Sequence, residues 1–126
     1  MDSENQISYD IRGAVFKVYN ELGPGLLESV YEAALSFELK QMGHFVQNQI
    51  GLPMTYKDLQ FDIGFRLDIL VDYSVIIEIK SVETLADAHY KQLLTYLKLT
   101  DKKLGLLVNF NCSSIEENIK RIVNKL

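Results

Sequence analysis

The spacing of apolar positions changes along the chain, and each change marks an element. From about 3 to 22 they fall at Ile7, Ile11, Val15, Val18 and Leu22, steps of three and four that line one side of a helix. Gly23-Pro24-Gly25 stops it. A second helix is predicted over about 26–42, with Leu27, Val30, Tyr31, Ala34 and Leu35 facing inward and Gly43 as its stop. Residues 44–56 read as a strand broken or ended near Gly51-Leu52-Pro53, Lys57-Asp58 as a turn, and 61–71 and 75–80 as two further strands. A helix over about 85–99 follows and turns at Thr100-Asp101-Lys102. The unbroken apolar run at 104–110 predicts a fully buried strand. Ser113 or Ser114 then caps a last helix, with Glu116 and Glu117 in its first turn and Lys120, Arg121 and Lys125 near its end, as the helix dipole favours. The order α-α-β-β-β-α-β-α predicts an α/β fold, a mixed β-sheet flanked by helices.

The segment 64–80 holds the most chemistry. Its two strands meet at Asp72-Tyr73-Ser74, a polar hairpin turn. Side chains alternate faces along a strand. Ile69 and Val71 therefore share one face of the first strand, and Val75, Ile77 and Ile79 one face of the second. Arg66 and Asp68, with Glu78 and Lys80, take the other face. If the turn centres on Tyr73, Asp68 stands directly opposite Glu78; a two-residue turn would send one of them to the other side. Facing carboxylates would have Cβ atoms about 4.5–5.5 Å apart. At ~5 Å and an effective dielectric of about 20 their charges repel by roughly 3 kcal/mol, a large share of the ~5–15 kcal/mol that holds a domain together. A shared proton, a neighbouring cation or a bound metal ion must offset that cost, and Lys80 lies on the same face.

Composition narrows the class. The 126 residues predict a single domain, 1–126, with a core that needs no staples. With 48% hydrophobic and 24% charged residues the chain reads as an ordinary soluble globular protein. The lone Cys112 excludes an intrachain disulfide and suits a reducing compartment. The acidic, polar start Met1-Asp2-Ser3-Glu4-Asn5-Gln6 is unlike a secretory leader, and no apolar run approaches the ~20 residues of a membrane span. The expectation is a cytoplasmic protein with no membrane contact. The net charge of −4, from 13 basic and 17 acidic residues, counts against coating nucleic acid through phosphates alone. It does not count against a metal-dependent site, whose ligands are themselves acidic.

Hard divalent cations such as Mg²⁺ take carboxylate oxygens and keep several waters. Asp68 and Glu78 could hold one and leave positions for a phosphate oxygen and an attacking water. Lys80 could orient or deprotonate that water, or steady charge on phosphorus. The alternative is an ordinary solvated sheet face. Glu28 is either a further ligand or an acid in a first helical turn, where the dipole favours it by ~0.3–1 kcal/mol. His89, Gln92 and Tyr96 share one helix face at i, i+3 and i+7. Gln92 could face a metal-bound water or a phosphate, and His89 could be a general acid or a phosphate contact; otherwise this face is a solvent edge. There is no Gly-rich phosphate loop and no zinc-cluster spacing, and neither His44 nor Cys112 receives a role.

Residues 25–31 fit Gly-x-x-Glu-x-x-Tyr, and Asp68 with Glu78-Ile79-Lys80 fits the core of the PD-(D/E)XK nuclease superfamily. With the segments 64–68, 92–97 and 104–110 in the same order, the chain resembles the small bacterial GxxExxY proteins placed in that superfamily. The resemblance implies a restriction-endonuclease-like core and a metal-dependent nuclease that hydrolyses phosphodiester bonds of nucleic acid, with DNA expected ahead of RNA as the partner. It implies Mg²⁺ or Mn²⁺ held by Asp68, Glu78 and Glu28, with Asp68, Glu78, Lys80 and Gln92 as the catalytic set. His89, Tyr31, Arg66 and Tyr96 are the candidates to touch substrate. Leu67 replaces the proline of the superfamily's name. The alternative reading is a catalytically silent nuclease-fold module that binds or regulates through a partner protein. A chain this short has no separate domain to choose a sequence, so a homodimer or a partner protein is expected to supply the grip.

Overall fold

The computed structural model describes residues 3–126; Met1 and Asp2, part of the polar start read above as no leader, lie outside the described residues. Ser3 caps helix α1 (Glu4–Leu22) by accepting the Gln6 N–H, and Gly23, at φ 68°, ends it. Helix α2 (Glu28–Gln41) follows. The buried stripe of α1 is the expected Ile7, Ile11, Val15 and Val18, whereas Leu22, its expected last member, is exposed at the helix end. On α2 the inward residues are Tyr31, Leu35 and Leu39, whereas Leu27 and Val30, expected inside, are exposed. The helix starts two residues later than the apolar pattern suggests, so Leu27 lies before its first turn.

Five strands form one sheet in the order β1-β2-β3-β4-β5. They are β1 (Val46–Tyr56), β2 (Leu59–Val71), β3 (Val75–Lys80), β4 (Leu104–Asn109) and β5 (Ile119–Val123), with helix α3 (Asp87–Thr100) crossing between β3 and β4. The β3–β4 pair is parallel, as that crossover demands, and the other pairs are antiparallel. The sheet is therefore mixed and the fold α/β. Helices α1 and α2 cover one face, packing on Ile69, Val71, Val75, Ile77, Leu106 and Val108. Leu93 and Leu97 of α3 cover the other, against Leu67, Leu70, Ile76 and Leu107. Gly105 makes the α3 contact possible, because a Cβ there would come within 2.9 Å of Leu93. No described helix is long and apolar enough to cross a membrane.

The last element departs from expectation. Residues 116–118 make a short 3₁₀ turn, and a strand, β5, replaces the helix foreseen from the serine caps and the acid-to-base gradient. The local helix signals are real, but β4 is buried at all six of its positions. Without β5 its outer edge would leave backbone groups unpaired away from water. Ile119, Ile122 and Val123 suit a strand, and antiparallel pairing from Leu104↔Val123 to Val108↔Ile119 settles the conflict.

A charged clamp locks the hairpin turn to α1. His44 is buried, with Nδ1 at 2.5 Å from Asp72 Oδ2 and Nε2 at 2.8 Å from Asp10 Oδ2. Asp72 Oδ1 also accepts the Phe45 N–H at 2.8 Å. Burial pulls the imidazole pKa down, but hydrogen bonds to Asp72 and Asp10 outweigh it and the net direction is upward. The stabilisation is thus complete below the ordinary histidine value and is lost as pH rises through the raised one. His44→Gln is expected to cost about 1–3 kcal/mol at pH 6 and less at pH 9, read from urea unfolding at both pH values.

Candidate active site

The β2–β3 hairpin sets the geometry. Asp72 and Tyr73 have φ of 51° and 58°, and the Ser74 N–H donates to the Val71 carbonyl at 2.9 Å. The pairing Ile69↔Ile77, Leu70↔Ile76, Val71↔Val75 belongs to a three-residue turn centred on Tyr73. Continued by one pair, it sets Asp68 opposite Glu78. At that point side chains take over the ladder. Glu78 Oε2 accepts the Asp68 N–H at 2.9 Å, and Asp68 Oδ2 accepts the Ile79 N–H at 2.8 Å. Each carboxylate is oriented by the other strand's backbone.

The pair is short of positive charge. Glu78 is 4% exposed. Burial first, then the adjacent Asp68 charge, pushes its pKa up to about 8, against the opposing pull of the Asp68 N–H and Lys80. Asp68 is raised too, chiefly by burial, with Ile79 N–H, Lys80 and Gln49 opposing and Glu28 adding to the rise. Lys80, half-buried, favours both ionised carboxylates but lies beyond 4.0 Å of any acid oxygen among the described residues. Tyr96 of α3 closes the other side. Burial, then Glu78 and Asp68, raises its phenol pKa, so it stays a neutral donor, and Phe65 packs against its ring at 5.1 Å.

Helix α2 brings two further acids. Glu28 Oε2 accepts the Ser81 N–H at 3.0 Å, while Ser81 Oγ donates to the Leu26 carbonyl at 2.9 Å. Those bonds tie the first turn of α2 to the chain leaving β3. Glu32, one turn on, was not foreseen. It adds to the rise at Glu78 and is held by Asn48 Nδ2 at 3.2 Å and Gln49 Nε2 at 2.6 Å. Its spacing of four from Glu28 is the only sequence signal that could have found it.

The Gly-x-x-Glu-x-x-Tyr segment divides its labour. Gly25, at φ 95°, makes the turn before α2, and Glu28 faces the acids. Tyr31 is a correction: it does not reach substrate, because it is fully buried and stacked on Phe110 at 4.3 Å. Its hydroxyl donates to the Gly23 carbonyl at 2.6 Å and accepts the Leu26 N–H at 3.1 Å. Tyr31→Phe removes both bonds and is expected to cost about 1–3 kcal/mol, measured by denaturant unfolding.

The other candidates are more dispersed. His89 Nδ1 accepts the Ala86 N–H at 3.0 Å at the start of α3, which places the proton of the neutral ring on Nε2. Gln92 is exposed, one turn before Tyr96 on the same face, and its side chain makes no hydrogen bond among the described residues. Arg66 is also exposed, and nothing among the described residues joins it to the acids. The strict alternation that grouped it with Asp68 fails here, since Leu67 packs with Leu70 on the α3 side.

The donor set suits a hard divalent cation. Glu78 and Glu28 each keep one carboxylate oxygen without a hydrogen bond among the described residues, and Asp68 Oδ1 has only a 3.4 Å contact from Gln49. No cluster of three or more His, Cys, Asp or Glu side chains is drawn together for coordination among the described residues. The acids instead face one another in like-charged pairs, an arrangement that a cation relieves. An apolar cleft of about 450 Å³ between the β1–β2 arm and the end of α3 lies apart from them.

Comparison with curated proteins and with solved structures gives no match. A family model does match, over residues 5–122, nearly the whole chain, and it spans the strand pair of Asp68 and Glu78, Lys80 and the first turn of α2. With the mixed sheet and its paired carboxylates, this match establishes that the chain belongs to the PD-(D/E)XK nuclease superfamily.

Proposed function

We propose that the protein is a Mg²⁺- or Mn²⁺-dependent nuclease of the GxxExxY type, hydrolysing phosphodiester bonds of DNA rather than RNA. In this reading residues 1–126 work as one nuclease-like domain, as a homodimer or beside a partner protein. The observation that carries it is the Asp68–Glu78 pair, Glu78 buried and Asp68 half-buried, with Glu78 pushed up by burial and the Asp68 charge and both carboxylates oriented by backbone N–H groups. Asp68, Glu78 and Glu28 would hold the ion. Bound there, it would polarise a phosphoryl oxygen and lower the pKa of an attacking water.

The chain's own groups do the rest. Lys80 supplies the positive charge nearest the acids, suited to the negative charge that builds on the phosphoryl oxygens. Tyr96, kept protonated by burial and by the same acids, can donate to a substrate oxygen. Gln92 and the Nε2–H of His89 would extend that donor row along α3, and Arg66 would meet the nucleic-acid backbone further out.

Calorimetric titration of the purified protein with Mn²⁺, followed by incubation with labelled DNA and RNA, tests this. Micromolar to millimolar uptake and Mn²⁺-dependent cleavage, both lost in Asp68→Asn, are expected. A folded protein that takes up no ion at millimolar concentration would instead be a silent binding module.

A further inference from the structure

We propose that Gln49 is a positioning residue for the acid site: its side-chain amide, held by Glu32, fixes the Asp68 carboxylate for the cation, an inference resting on the metal-dependent reading above. Gln49 lies on β1 between the pairs Asn48↔Ile69 and Ile50↔Leu67, so it faces Asp68 across the sheet. Its Nε2 is 2.6 Å from Glu32 Oε1 and 3.4 Å from Asp68 Oδ1. With a carboxylate on each side, only the NH₂ end of the amide fits, one hydrogen toward each acid. Glu32 is itself fixed by Asn48 Nδ2, which also lies 2.6 Å from the buried Ser36 Oγ. A chain of hydrogen bonds therefore runs from the core side of α2, through Glu32 and Gln49, to Asp68.

The backbone strengthens the case. Gln49 has φ 49° in mid-strand, where the register continues without a slip. The left-handed region disfavours residues that carry a side chain, and glycine would occupy it more easily. The side chain thus sits where the backbone alone would prefer none, and its partners are the two acids. Strain of this kind gathers at functional sites, where the surrounding structure holds it.

Asp68 Oδ2 is anchored by the Ile79 N–H, but Oδ1 has no protein partner other than Gln49 among the described residues. Without the amide the carboxylate can turn about that single anchor, and Glu32 and Asp68 face each other with no donor between them. Partners of this kind, one step removed from a metal, typically change affinity or activity 10–100-fold.

The test uses the full chain and Mn²⁺ as probe. Gln49→Gly suits the left-handed backbone, and Gln49→Asn tolerates it with an amide too short to span both acids. Both variants are expected to melt at or above the wild-type temperature yet bind Mn²⁺ about tenfold more weakly. Under Mn²⁺ saturation kcat should fall about tenfold with KM for nucleic acid unchanged. Adding Glu32→Ala to Gln49→Gly should weaken binding less than Glu32→Ala does alone, because the two act in series. Wild-type affinity and kcat in both Gln49 variants would overturn the proposal, as would strict additivity of the double variant. If the wild type itself takes up no Mn²⁺, the metal-dependent reading fails and this one with it. Uptake that ignores Gln49 removes this one alone.

Discussion

In the metal-free protein, stability should fall steadily between about pH 5 and pH 8.5, and Glu78→Gln should remove most of that fall. Glu78 has an ordinary value of 4.5 unfolded and is pushed up to about 8 when folded, so between those values the folded chain holds a proton that the unfolded chain has released. Stability then decreases as pH rises through that window and levels off above it. At about 1.4 kcal/mol per unit of difference the total is on the order of 3–5 kcal/mol, or roughly 10–20 °C in Tm for a chain of this size. Glutamine keeps an oxygen to accept the Asp68 N–H and carries no charge, so the variant should be the more stable protein above pH 8. The His44 clamp also weakens as pH rises, but it is unchanged in this variant, so the difference between the two melting curves isolates Glu78. Millimolar Mg²⁺ or Mn²⁺ should restore the wild-type Tm at pH 8.5 and do little for Glu78→Gln. Parallel curves for the two proteins would mean that the buried carboxyl is not the source of the pH dependence.

Asp68→Asn should leave the fold intact and reduce Mn²⁺-dependent cleavage at least ~10³-fold. Asparagine can still accept the Ile79 N–H through its carbonyl oxygen, so the strands stay as they are and thermal stability is held or raised. What disappears is a negative charge where the cation must sit. Lys80→Ala should cost roughly 10²-fold and behave differently with pH. Lys80 opposes the upward shifts of Asp68 and Glu78, so its removal raises both further and moves the residual activity toward higher pH. Single-turnover cleavage between pH 6 and 9, with Mn²⁺ binding measured alongside, separates the two variants. Equal cleavage by wild type and Asp68→Asn would mean that the catalyst lies elsewhere.

The hairpin acids were readable because one local feature, the length of the turn, decides whether Asp68 and Glu78 face each other. Helix α1 was readable for the same reason, its stripe being a property of neighbouring residues. The apolar pattern puts Tyr31 inside and the motif makes it a substrate contact; the first holds, and its hydroxyl is spent on the turn before α2. The strand β5 was misread because its own residues carry helix signals, and only the buried edge of β4 overrules them.

By itself the sequence determined the order of elements up to β4, the α/β class, and a hairpin bearing two acids with a lysine two residues on, whose facing waited on the length of its turn. All of these follow from spacing within one strand, helix or turn. Only the tertiary structure decided what surrounds the acids. Gln49 meets Glu32 and Asp68 from 17 and 19 residues away, and His44 meets Asp72 and Asp10 from 28 and 34. Such partners are chosen by how layers pack and which donors burial leaves beside an acid, and no periodicity along the chain encodes that choice.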